Sequence, residues 1–117
     1  MHNDCELKIW QEARTLVKEI YSLTAGFPKE KMYGLTSQIR RAAISVPSNI
    51  AEGTGRGSDK EFQRFPEYAI GSLFELETQV VLANDLNFIN SENYEAVHQY
   101  IKYVIRMIVK FKGTLVI

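Results

Sequence analysis

Little in this chain invites chemistry. It has one cysteine, Cys5, and two histidines in 117 residues. A lone thiol excludes an internal disulfide and fits a reducing compartment. Its place near the start of the chain argues against a catalytic role. Net charge is missing too, since 14 basic side chains offset 14 acidic ones. No global field then draws the chain to nucleic acid or to an anionic membrane, and any such affinity has to come from a local patch. Long apolar runs are absent. VVLA at 80–83 is among the longest, far short of the ~20 residues that cross a bilayer. The start, MHNDCELKIW, lacks the basic-then-apolar pattern of a secretion signal. These absences predict a single soluble cytoplasmic domain, with one core and no membrane partner.

What is present is helical spacing. Trp10, Ala13, Leu16, Val17, Ile20 and Tyr21 recur at steps of three and four, which predicts a helix over 6–24 that stops at AGFPKE. Leu35, Ile39, Ala42, Ala43, Val46 and Ile50 predict a second over 35–54. Ser58 with Glu61 three residues on is a capping-box signature, and the stripe from Phe62 to Ala83 predicts a third helix over 58–85. Asn84, Asp85 and Asn87 supply its stop. After Asn90 and Ser91, Val97, Ile101, Val104, Ile108 and Phe111 predict a fourth over 91–114. No alternating strand pattern of useful length occurs. Four helices with short connections predict an all-α, antiparallel up-down four-helix bundle forming one domain, 1–117. The fourth helix also carries Tyr94, Tyr100, Tyr103, Met107 and Val109 beside its core stripe. That is more apolar surface than a free-standing bundle needs, and it predicts self-association; tyrosines lying along the surface with wet hydroxyls are the plainer alternative.

The least ordinary stretch is SVPSNIAEGTGR at 45–56. Gln38, Arg41, Ser45, Ser48 or Asn49, Glu52 and Arg56 form a polar row at helical steps, so the second helix is expected to run through Pro47. An interior proline costs roughly 3 kcal/mol, and Ser45 and Ser48 are placed to satisfy backbone groups around the bend. Gly53, Gly55 and Gly57 are then read as ending the helix. A dinucleotide loop fits less well than turn glycines, because a helix and not a strand precedes the glycines and no GKS or GKT follows. A weaker anion site remains open at the amides of Ser58–Lys60 beside Arg56.

The run GLTSQIRRAAISVPSNIAEGTGR, with FQRF, AIGSLFELETQ and the earlier IWQEARTLVKEIY, resembles the four-helix-bundle family encoded within intervening sequences of bacterial 23S rRNA genes. The resemblance extends from Leu7 to about Ile108 and rests on the long pattern QIRRAAxSxPSNIAEGxGR. The family is similar in fold to the accessory protein of diversity-generating retroelements, a pentameric bundle implicated in nucleic-acid binding. The resemblance therefore implies a four-helix bundle, a homopentameric ring, and RNA or a nucleic-acid-processing protein as partner. It implies no settled biochemical activity. The positions matching the family pattern are Gln38, Arg41, Ser45, Pro47, Asn49, Glu52, Gly53, Arg56, Glu75 and Glu77. Pro66 departs from the pattern, and it should kink the third helix or delay its regular start.

Two sets of candidate residues follow. On facing helices, Arg41 and Glu75 are expected to pair across the bundle, with Ser45 and Gln79 completing the hydrogen bonds; Ser72 shares that face, and Glu52 and Arg56 are spaced for an i,i+4 pair. This furrow, from Gln38 through Asn49 to Gln79, reads either as polar glue between helices or as a ligand cleft. The second set is basic: Lys102, Arg106 and Lys110 at four-residue steps with Lys112 beside them, and Arg14 with Lys18 on the first helix. Repeated around an oligomer, such rows would contact phosphates without reading sequence; equally, cations at a helix end complement its dipole. Catalytic machinery is not apparent. A di-metal bundle needs two Glu-x-x-His pairs, and only Glu95 with His98 fits, so no metal or other cofactor is expected. Glu75 and Glu77 point about 200° apart and make no acid–base dyad. The expectation is a non-enzymatic interaction protein.

Overall fold

The computed structural model describes residues 4–54 and 64–114, and among them the chain forms four α-helices and no strand. The first, α1 (Asp4–Thr24), buries Ile9, Ala13, Leu16 and Ile20 completely. Thr24 closes it by donating to the Ile20 carbonyl at 2.8 Å. A short 3-10 turn (Lys29–Lys31) and a wide turn (Met32–Thr36), broken at Gly34, lead into α2 (Ser37–Thr54). The second helix thus begins regularly two residues after the expected start.

Pro47 lies inside α2, and the helix continues past it. Ser45 Oγ donates to the Ala42 carbonyl at 2.7 Å and Ser48 Oγ to the Ile44 carbonyl at 2.9 Å. Both hydroxyls therefore serve the backbone around the residue that lacks an N–H. Gly53 is still within the helix, and its role differs from the expected turn. A Cβ at this position would overlap the Cβ of Phe65 and approach its ring carbons Cγ and Cδ2 to 2.6 and 2.8 Å. Glycine is required here by close packing of α2 against the start of α3. Gly55, Gly57 and Arg56 lie outside the described residues, as does the anion site read at Ser58–Lys60.

The third helix, α3, runs Phe65–Asp85, against an expected start at 58; the capping box at Ser58 and Glu61 falls outside the described residues. Pro66 sits in its first turn, where the missing N–H costs nothing because no carbonyl waits for it. At the far end Asn87 takes a left-handed backbone (φ 63°), and Phe88 N–H closes on the Ala83 carbonyl at 3.0 Å. Asn90 caps α4 (Ser91–Lys112) by accepting from Asn93 N–H at 2.7 Å.

Each helix packs on its two neighbours in sequence order, and α4 returns to α1; α2 against α3 is the most extensive contact. The fold is an all-α, antiparallel up-down four-helix bundle. Isoleucine, leucine, valine and alanine fill the core, with Phe65 and Phe111 meeting at 5.7 Å between ring centroids at one end and Phe27 and Phe88 at 5.5 Å. Thr24 also joins α1 to α2: it accepts from Arg40 Nε at 2.8 Å while the Arg40 guanidinium lies 4.5 Å over the Tyr21 ring. No helix among the described residues is long and apolar enough to cross a membrane.

The surplus apolar surface expected on α4 is covered within the chain in part. Tyr94 stacks on His98, Tyr100 reaches across to Glu12, and Met107 is half-buried against the core. Tyr103 and Val109 of α4 remain exposed, and α3 adds outward apolar surface of its own, where Tyr68 is 58 %, Phe74 52 % and Leu82 47 % exposed.

Candidate functional site

Three surfaces gather the sequence-predicted residues. The first comprises the polar residues of α2 and α3. Gln38, Arg41, Glu52 and Glu75 are exposed, Ser45 and Asn49 are half-buried, and Gln79 is buried. The expected Arg41–Glu75 pair is not formed. The ion pairs among the described residues are His98–Glu77 and Lys112–Glu67. Glu75 accepts instead from Gln79 Nε2 one turn along its own helix, at 3.2 Å, and Ser45 is used by its own backbone. An exposed arginine gains little by immobilising its long side chain against an exposed carboxylate, so each group stays with its helix. Arg56, the partner expected for Glu52, lies outside the described residues. Gln79 Oε1 is buried without a hydrogen-bond partner, an arrangement that costs about 1–3 kcal/mol.

The second surface is the outer side of α4. Arg106 and Lys110 are exposed and Lys102 is half-buried, at four-residue steps on one face. None of these three is in an ion pair among the described residues, whereas Lys112 lies 3.6 Å from Glu67 of α3. The helix carries Glu92 and Glu95 near its start and its cations toward its end. Its macrodipole and its side chains therefore oppose each other at both ends, which keeps the cationic end stable when unpaired.

A third surface was only half legible. Arg14 and Lys18 are exposed and border a shallow groove of about 250 Å³ between α1 and α2, lined also by Val17, Ile44, Pro47 and Ser48. Arg14 lies 4.6 Å over the Trp10 ring, which holds the guanidinium at the groove's edge.

Sequence reasoning also missed two cross-helix contacts. His98 Nε2 and Glu77 Oε2 are 3.0 Å apart between α4 and α3. Tyr100 OH donates to the Glu12 carboxylate, joining α4 to α1. Burial, and then the bond to Glu12, push the Tyr100 phenol well above its ordinary pKa. The signal for the first was available: Glu77 lies ten residues before Asn87 and His98 eleven after it, and residues equidistant from a tight turn meet in an antiparallel pair. Among the described residues no group of three or more His, Cys, Asp or Glu side chains is placed to hold a metal ion.

The architecture has a counterpart of known structure. A crystal structure of a protein of unknown function from the S23 ribosomal protein family of Bacteroides thetaiotaomicron superposes with a TM-score of 0.85 at 18 % identity, covering 94 % of this chain and 99 % of that one. At that identity the likeness speaks for the fold. No curated protein matches the chain in sequence. The family model for the 23S rRNA-intervening sequence protein matches residues 5–110, nearly the whole bundle and all of α2 with its proline. The chain belongs to the 23S rRNA-intervening sequence protein family.

Proposed function

We propose that this protein is a non-enzymatic, self-associating helical bundle of the cytoplasm that engages RNA, or a ribosome-associated protein, through the cationic end of α4. The observation that carries this reading is the row Lys102, Arg106 and Lys110, which projects at helical spacing without an acidic partner among the described residues. The family's association with 23S rRNA intervening sequences supports an RNA-related setting. One row supplies too few phosphate contacts for tight binding by a neutral chain. A homo-oligomer, five-membered as the resemblance implies, repeats the row and makes the contacts multivalent.

Binding of the full chain to 23S rRNA fragments, titrated against salt, tests the reading. Affinity should fall on the order of ten- to a hundred-fold between 50 and 200 mM salt, and Lys102→Glu with Arg106→Glu should abolish it while leaving the helical signal intact. Binding that ignores salt and the double variant overturns the RNA reading.

A second reading, a small-ligand or enzymatic site in the furrow near Asn49, Glu52, Arg56 and Glu75, is favoured by one observation, the unpartnered carbonyl oxygen of Gln79. A compound that raises the melting temperature of the native chain but not of Asn49→Ala would support it.

A further inference from the structure

The unusual element of the bundle is α3. Between Phe65 and Asp85 it has no lysine or arginine, and its charged residues are Glu67, Glu75, Glu77 and Asp85. Its outer face nevertheless exposes Tyr68, Phe74 and Leu82, spaced around the small Gly71 and Thr78. A helix that is apolar outside as well as inside has an uncovered side, and three large side chains about half exposed on one helix exceed the scattered singles of an ordinary surface. Elsewhere on the same molecule lies a surface of opposite character. The groove between α1 and α2 is apolar along Val17, Ile44 and Pro47, is bordered by Arg14 and Lys18, and among the described residues includes no acidic side chain. Ile44 is 43 % exposed there, and exposed Arg41 lies one turn away on α2 without an ion pair among the described residues.

We propose that these two surfaces are the halves of one interface: the acidic, apolar outer face of α3 in one copy seats on the basic, apolar α1–α2 groove of the next. This deepens the self-association reading above and rests on it. Charge complementarity selects the occupant. The α3 face repels a second α3 face through Glu75 and Asp85, and two grooves would bring Arg14 and Lys18 of both copies together. Each surface therefore rejects itself and accepts the other. Such a contact is heterologous, and a soluble assembly built on it closes into a ring rather than stopping at a two-fold dimer. The rows of α4 would then repeat around the ring with one orientation.

The test uses the full chain and two single variants, with mass measured by light scattering at micromolar concentration and folding by far-UV circular dichroism. Leu82→Arg spoils the α3 face, and Ile44→Glu spoils the groove. Each variant alone should fall to the 13.4 kDa of one chain. Mixed, they should form at least a one-to-one dimer, because the intact groove of the first accepts the intact α3 face of the second. Thr78→Arg, at another exposed position of α3, replaces Leu82→Arg if that variant does not fold. A folded variant that keeps the native mass, or a mixture that stays monomeric, overturns the interface while leaving self-association standing. A native chain that is itself monomeric overturns both readings.

Discussion

Gly53 and Gln79 are the two positions where a change of a few atoms should move stability in directions a generic rule gets wrong. Replacing glycine by alanine inside a helix ordinarily gains about 1 kcal/mol. At position 53 the added methyl would overlap Phe65, itself buried and in contact with Phe111. Overpacking of this kind costs about 1–3 kcal/mol or more, so Gly53→Ala should lower the urea midpoint. Gln79 has the opposite logic. Its Nε2 satisfies Glu75, but its Oε1 is buried without a donor. Gln79→Met keeps the volume and removes the stranded acceptor, so unfolding should become harder by about 1 kcal/mol, read as a higher midpoint at unchanged slope. The sequence shows that Gly53 belongs to a distinctive run, but its reason for being glycine depends on a residue twelve positions away. Steric closeness of that kind leaves no mark in local spacing.

At the scale of helices, spacing was enough for α1, α2 and α4, because each has a single buried stripe whose period is that of the helix. The passage of α2 through Pro47 was legible for the same reason, since the polar row continues at helical steps beyond it. The start of α3 was less legible: a capping signature at Ser58 competed with Pro66, whose most favourable place is a first turn. Side-chain partners were the weakest part. Exposed charges such as Arg41 and Glu75 have many alternatives of nearly equal energy, whereas Glu77 and His98 are brought together by the turn between their helices. The tie between α1 and α4 yields a pH prediction. Tyr100 is neutral when it donates to Glu12, and its pKa in the folded chain is raised. The unfolded phenol ionises near 10. The stability it contributes is therefore complete below about pH 10 and is lost as pH climbs from there toward the raised folded value. Tyr100→Phe should cost about 1 kcal/mol at neutral pH and should flatten that alkaline decline, as urea midpoints measured from pH 8 to 11 would reveal.

The whole molecule, an elongated body of 43 × 25 × 18 Å, combines zero formal charge with sharply uneven placement of it. One helix holds four carboxylates and no cation, so the other segments together hold a surplus of four positive groups. Net charge is the quantity that sets solubility and long-range steering, and on that measure the chain should be indifferent to charged supports. Its lopsidedness says otherwise. At low ionic strength the protein should adhere to both positively and negatively charged chromatography resins near neutral pH, presenting α3 to one and the end of α4 to the other, and should elute from each at modest salt.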